Sequence, residues 1–335
     1  VTLQDIARHL DVSTATVSLA LRDAAVVAET TRQKVRAAAR ELGYIYNRSA
    51  ASLRTARSNI LAVGFHDITN PYFAEMLSAI EEAAITSGHT ILLGTYSESL
   101  ERQARVLGTL REHRPDGMIM CPAGGTTPEV YRDLVEAGIP VVQVSREVGD
   151  AGLDFVGSDD SRGIEIALQH LIALGHRRIA LIGGNESTST GKVRHAAYRT
   201  TLALNGIGYD PGIVYRDWGT RETGFRGIQH VLDHADPPTA AVCFNDLTAF
   251  GAMLGLRHRN HEAGSDFSIV GCDDVKEAAQ WYPGLTTIRN RQEEMGRKAA
   301  ELLMRRIAEP DAAPRHVLLE PDLVVRGSTI PSAIQ

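Results

Sequence analysis

Leu3, Ile6, Ala7 and Leu10 recur at i, i+3, i+4 and i+7, so the chain begins with a short helix that carries one apolar face. Thr2 stands three residues before Asp5, the spacing of a capping box. Asp11 and Val12 break the period, and Ser13 is placed to cap a second helix over about residues 14–21, with Val12 and Val17 as a hydrophobic staple across that cap. On this helix Val17 and Leu21 are expected to face inward and Thr14, Ala15, Thr16 and Ser18 outward. A third helix, about 30–42, places Val35, Ala38, Ala39 and Leu42 on a buried stripe and stops at Gly43. The first two helices are joined by about three residues, which sets them at a steep angle, and the three together close a miniature core.

The pattern then changes twice. "NRSAASLR" is compatible with a short helix capped by Asn47, but Leu53 is its only large apolar side chain, so it should order only on meeting a partner. From Ile60 onward, apolar runs ("ILAVGF", "TILLGT", "GMIMC", "PVVQV", "IALIGG", "AAVCF", "SIVG") alternate with longer segments of helical period. Near-continuous apolar strands alternating with helices predict parallel sheets covered on both faces. There are too many strands for one sheet, so two doubly wound lobes are expected, with any ligand at the carboxyl ends of strands in the cleft between them.

Composition narrows the function. The 335 residues carry a formal charge of −6, but residues 1–58 hold nine Lys and Arg against five Asp and Glu, a local +4 that leaves −10 for the rest. A basic end on an acidic chain points to nucleic acid, whose phosphates supply most sequence-independent affinity. Outward Thr14, Ala15, Thr16 and Ser18, at the start of the second helix of a helix-turn-helix, are small enough to approach base edges and phosphates. No run of eighteen apolar residues exists, and no charged-then-apolar leader precedes the first helix, so neither membrane insertion nor export is expected and a cytoplasmic compartment is. Cys121, Cys243 and Cys272 are far apart in apolar stretches, which reads as buried reduced thiols without metal spacing.

An enzyme with a dinucleotide cofactor would share the alternating pattern, but "LIGGNESTSTG" lacks G-x-G-x-x-G with an acid about 20 residues on. Walker, H-E-x-x-H and G-x-S-x-G motifs are also missing, so no catalytic residue, cofactor or metal is expected. Strand ends instead offer binding groups. Arg146 ends one strand, Trp218 follows another and can stack on a ring face, and Asn245 and Asp273 follow two more, where amide and carboxylate groups chelate hydroxyl pairs. For Asp246, capping and binding are equally supported; of Asp159 and Asp160, at least one is expected to cap a helix.

"TLQDIARHLDVSTATVSLAL" followed by "TRQKVRAAARELGYIYNRSAASLR" resembles the DNA-binding head of the lactose-repressor family of bacterial transcription regulators. The resemblance continues through "NPYFAEMLSAIEEAA", "HLIALGHRRIALIGG", "FNDLTAFGAM", "IVGCDD" and "PGLTTI", nearly the whole chain. It implies an all-α helix-turn-helix head over 1–46, a hinge helix and linker over 47–58, and an effector-binding and dimerisation core over 59–335. That core is similar to type I periplasmic binding proteins, with an N-lobe at about 59–160 and 289–317 and a C-lobe at about 161–288 and 318–330.

The resemblance also implies partners and sites. The partners are a palindromic operator, a small effector and a second copy of the chain. Thr14, Ala15 and Leu19 take the positions that set operator preference, while Thr16 and Ser18 match the phosphate-facing pattern. Leu53 matches the leucine that wedges into the minor groove. The full DNA-facing set is Thr2, Ser13, Thr14, Ala15, Thr16, Ser18, Leu19, Arg22, Asn47, Ala50, Leu53 and Arg54. Tyr72, Phe73 and Arg194 join Arg146, Trp218, Asn245 and Asp273 as effector residues. Leu19 stands where relatives often carry a basic or imidazole group, and Arg162 where some sugar-binding relatives carry an acid. Donors and acceptors around an aromatic platform suit a sugar or sugar derivative, so a sugar-controlled repressor is the reading. The alternatives are a purine-responsive regulator, which Tyr72 and Phe73 also resemble, a sugar-binding protein, and an NAD-dependent enzyme.

Overall fold

The computed structural model describes residues 1–22, 24–44, 57–149 and 151–332. Two compact units divide at Ser58 and Asn59.

The first unit holds α1 (Leu3–Leu10), α2 (Thr14–Leu21) and α3 (Glu29–Glu41). Thr2 caps α1 in a full capping box with Asp5, and Ser13 caps α2 by accepting from the Thr16 N–H. Asp11 makes the turn in the left-handed conformation at φ 53°, which an aspartate adopts more readily than most residues. Helix α3 ends in a Schellman turn: Gly43 has φ +69°, and the Tyr44 N–H donates to the Ala39 carbonyl. Ile6, Val17, Ala20, Val35, Ala38 and Ala39 form the core of this head. Ala20, rather than Leu21, is the fully buried partner of Val17; Leu21 and Leu42 cover the edge.

The second unit contains two six-stranded sheets. The first lobe is built from β1 (Ile60–Phe65), α4 (Pro71–Thr86), β2 (Thr90–Thr95), α5 (Leu100–Glu112), β3 (Gly117–Met120), α6 (Pro128–Glu136), β4 (Val141–Val144) and β5 (Asp154–Ser158). The second continues with α7 (Asp160–Ala173), β6 (Ile179–Ile182), α8 (Ser189–Leu204), β7 (Val214–Tyr215), α9 (Arg221–Leu232), β8 (Ala240–Cys243), α10 (Asp246–His258), β9 (Ser268–Asp273), α11 (Lys276–Gln280) and β10 (Thr286–Arg289). The chain then returns through α12 (Gln292–Ala308) and β11 (His316–Leu319) to the first sheet and ends with β12 (Asp322–Val324) in the second.

The strand orders are β11-β5-β4-β3-β1-β2 and β12-β10-β9-β8-β6-β7. Pairing is parallel except between β10 and β12. Central strands are buried on both faces, as their apolar runs require, whereas β2 lies at an edge and is half-buried or exposed throughout. The lobes are joined at three crossings: after Ser158, after Arg289, and between Leu319 and Asp322. The sequence division at 317 groups Leu318 and Leu319 with the second lobe. Both pair instead with Gly157 and Ser158 of the first, because the parallel register runs unbroken to the end of β5.

Candidate effector cleft and DNA-facing helix

On the head, Ser13, Thr14, Ala15 and Arg22 are exposed, while Thr16, Ser18 and Leu19 are half-buried. Several of these groups already serve the fold. Ser13 Oγ holds the Thr16 N–H at 3.0 Å, Thr2 Oγ1 donates to Asp5, and Arg22 Nε donates to the Ser18 carbonyl at 3.1 Å. Leu19 packs against the head core, so it presents only part of its surface outward. Thr14 and Ala15 are the freest side chains at the start of α2. Asn47, Ala50, Leu53 and Arg54 lie outside the described residues.

In the second unit a cavity of about 500 Å³ opens between the lobes. The seven residues singled out from the sequence, Tyr72, Phe73, Arg146, Arg194, Trp218, Asn245 and Asp273, all line it. They arrive from strand ends and from the helices that follow strands, Tyr72 and Phe73 on α4 and Arg194 on α8, as parallel topology dictates. Asn70 caps α4 by accepting from the Tyr72 N–H, which aims Tyr72 and Phe73 at the cleft floor. Their rings meet edge to face at 5.0 Å, and Phe73 also touches Phe65 and His66, so both are packed into the core. Asn245 is the N-cap of α10 and donates its amide to the Gly219 carbonyl at 3.0 Å.

Both arginines are buried and paired. Arg146 Nη1 lies 2.6 Å from Glu98 Oε1, and Arg194 Nη2 lies 2.7 Å from Asp160 Oδ1. Arg194 also donates to the Phe244 carbonyl and stacks 4.7 Å over the Phe244 ring. Burial raises the Asp160 carboxyl above the ordinary aspartate value against the pull of Arg194. Asp273 accepts from Asn290 Nδ2 at 3.0 Å, and burial, with the neighbouring Asp246, drives its carboxyl well upward. The backbone is strained around the cavity: Ser97, Glu98, Ser145 and Asp273 have φ of 47°, 58°, 61° and 132°.

Of the two aspartates at the first crossing, Asp159 caps α7 as expected, and Asp160 is the partner of Arg194. Asp246 neither caps nor lines the cavity; it is fully buried, accepting from the Thr287 hydroxyl and the Val275 N–H. Arg162 sits on the surface of α7 with Glu165. His66, Glu98, Ser145, Thr190, Thr220 and Phe244 line the cavity without having been singled out. Glu98 and Ser145 follow β2 and β4 closely, so strand-end position was the available signal.

Cys121 Sγ lies 3.6 Å from His66 Nδ1, and His66 Nε2 lies 3.4 Å from Glu98, an arrangement that superficially resembles a nucleophile and its base. The chemistry runs the other way. Burial pushes the Cys121 thiol up to about 12 and, with Arg146, holds His66 well below its usual value, so both stay neutral. Among the described residues no group of carboxylates, histidines and cysteines is arranged to hold a metal ion, and no helix is long and apolar enough to cross a membrane.

Comparison with known proteins agrees with this architecture. Residues 2–47 match the model for bacterial regulatory proteins of the lacI family, and residues 168–329 match the periplasmic binding protein-like domain. The chain is 31% identical to the HTH-type transcriptional repressor PurR of Yersinia enterocolitica, over 98% of its own length and 96% of the relative's. The solved Lac repressor dimer bound to operator and the anti-inducer ONPF superposes with a TM-score of 0.85 at 28% identity, covering 98% of this chain and 99% of that one. The complex of the transcriptional regulator CelR with cellobiose superposes with a TM-score of 0.75 at 30% identity, covering 98% and 100%.

Proposed function

This chain belongs to the lacI family of bacterial regulatory proteins, a DNA-binding transcriptional repressor with a ligand-binding domain, and from that premise we propose that a sugar or sugar derivative in the interlobe cavity controls its grip on a palindromic operator. The observation that carries the choice of ligand is the pairing of both cleft arginines with carboxylates. A phosphate or carboxylate ligand would find no uncompensated arginine or lysine among the described residues that line the cavity, whereas a neutral polyol meets donors and acceptors from both lobes. Trp218 supplies the apolar platform beside them, and the cellobiose complex of CelR is a precedent on the same fold. Purine binding is the weaker reading, because Tyr72 and Phe73 pack against each other edge to face and are almost wholly buried, so that this pair offers no parallel faces to a flat base.

In this reading the protein works as a homodimer in the cytoplasm and catalyses nothing. Two heads place Thr14 and Ala15 against base edges, Thr16, Ser18 and Arg22 beside phosphates, and Leu53 in the minor groove between them. Effector binding changes the lobe angle and with it the spacing of the two hinge segments, a coupling of about 1–3 kcal/mol. Calorimetric titration of the full chain against mono- and disaccharides and against purine bases tests the ligand class. Heat with a sugar and none with purines is expected; the reverse result would replace sugar by purine.

A further inference from the structure

The three crossings leave the sheets at β5 and β11 and at β10 and β12, which cluster at one edge of each lobe. Away from these crossings the loop after β3 meets the loop after β6, where the Gly125 N–H donates to the Ser187 carbonyl at 3.0 Å; beside it the loop after β4 meets the start of α8, where the Glu147 N–H donates to Ser189 Oγ at 2.9 Å, each bond joining one lobe to the other.

Gly124 is what lets this contact form. A Cβ built there would collide with Ser187 Oγ and stand 2.9 Å from Trp218 Cη2, both on the second lobe. Its φ does not lie in the left-handed region, so backbone conformation does not demand glycine; the close approach does. The same loop is tied to the cavity wall. The Gly124 N–H donates to Glu98 Oε2 at 3.0 Å, while Oε1 of the same carboxylate holds Arg146.

We propose that Gly124, Gly125 and Glu147 of the first lobe and Ser187, Ser189 and Trp218 of the second form a clasp that fastens the lobes to each other in addition to the three crossings, with Glu98 as the positioning residue that connects it to the effector wall. The clasp deepens the reading of this cavity as the effector site and depends on it only for regulatory meaning: a ligand that draws Glu98 or Trp218 toward itself changes how firmly the lobes are held.

The test uses the full chain without DNA or ligand, so its failure leaves the effector assignment standing. Hydrogen exchange is followed at the Gly125 and Glu147 amides, with small-angle scattering on the same samples. Gly124→Val should speed exchange at both amides at least tenfold and expand the scattering envelope, with the central strands β3 and β6 still protected. Adding Ser187→Gly to that variant should recover part of the protection. Glu98→Ala should speed exchange at Gly125 by freeing its loop. If Gly124→Val proves unfolded, Ser189→Ala decides, since it removes the acceptor of the Glu147 N–H without adding bulk; a tenfold rise at Glu147 supports the clasp. Wild-type exchange at both amides in a folded Gly124→Val protein, or an unchanged Glu147 rate in Ser189→Ala, would overturn it.

Discussion

Asp246 has no exposed surface, and burial raises its carboxyl to about 7 despite the hydrogen bonds from Thr287 and Val275. Asp274 adds to that rise, Arg326 opposes it, and Asp273 is pushed up in concert, so the two carboxyls titrate as a pair. The folded protein therefore binds more protons than the unfolded chain between the ordinary aspartate value and about 7. The stability this contributes is complete below that ordinary value and is lost as pH rises through about 7. Urea midpoints should accordingly fall between pH 5 and pH 8, and Asp246→Asn should flatten the decline; an unaltered slope would place the titration elsewhere. At the other end of the chain, Leu53→Ala should weaken operator affinity at least tenfold in a mobility-shift titration and leave the thermal unfolding of the second unit unchanged.

Helices α9 and α10 approach backbone to backbone. A Cβ at Gly251 would run into the Arg221 carbonyl, and one at Gly224 into the Thr248 carbonyl. Neither carbonyl can move without shifting a helix, so Gly251→Ala should cost about 1–3 kcal/mol in chemical denaturation. Gly108, inside α5 with open space around it, gives the opposite sign: Gly108→Ala should stabilise by about 0.5–1 kcal/mol through helix propensity alone. Equal effects from the two substitutions would rule out the close approach. The elements themselves were readable in advance because their causes are local. Thr2, Ser13 and Gly43 mark helix ends by side-chain capping or left-handed backbone, and the runs around Ile60, Met118 and Ile269 are apolar because helices cover both faces of their sheets.

The two units divide the labour by charge, with a basic head and an acidic body. A fragment of residues 59–335 has its own core and should keep the ligand affinity of the full chain while losing operator binding. Calorimetry with a sugar that binds the full chain and a mobility-shift titration check the two halves of that statement; loss of ligand binding in a folded fragment would mean that the head contributes to the cavity. Operator affinity should also fall steeply with added salt, because phosphate neutralisation supplies it, and ligand affinity should not, because the cleft charges are internally paired.

Periodicity, capping residues and turn chemistry act over a few neighbours, so the sequence alone determined the three-helix head, the alternating strands and helices, and the strand ends from which Arg146, Asn245 and Asp273 project. Pairing across the fold is a different matter. That Arg146 meets Glu98, that Arg194 meets Asp160, that Asp246 turns into the core while Asn245 faces the cavity, and that Gly124 lies against Trp218 depend on groups 29 to 94 positions apart, and only the packing of two sheets around three crossings brings them together. A charge read along a chain has no fixed partner; tertiary structure supplies one, and the proposal that the cleft takes a neutral ligand rests on that pairing.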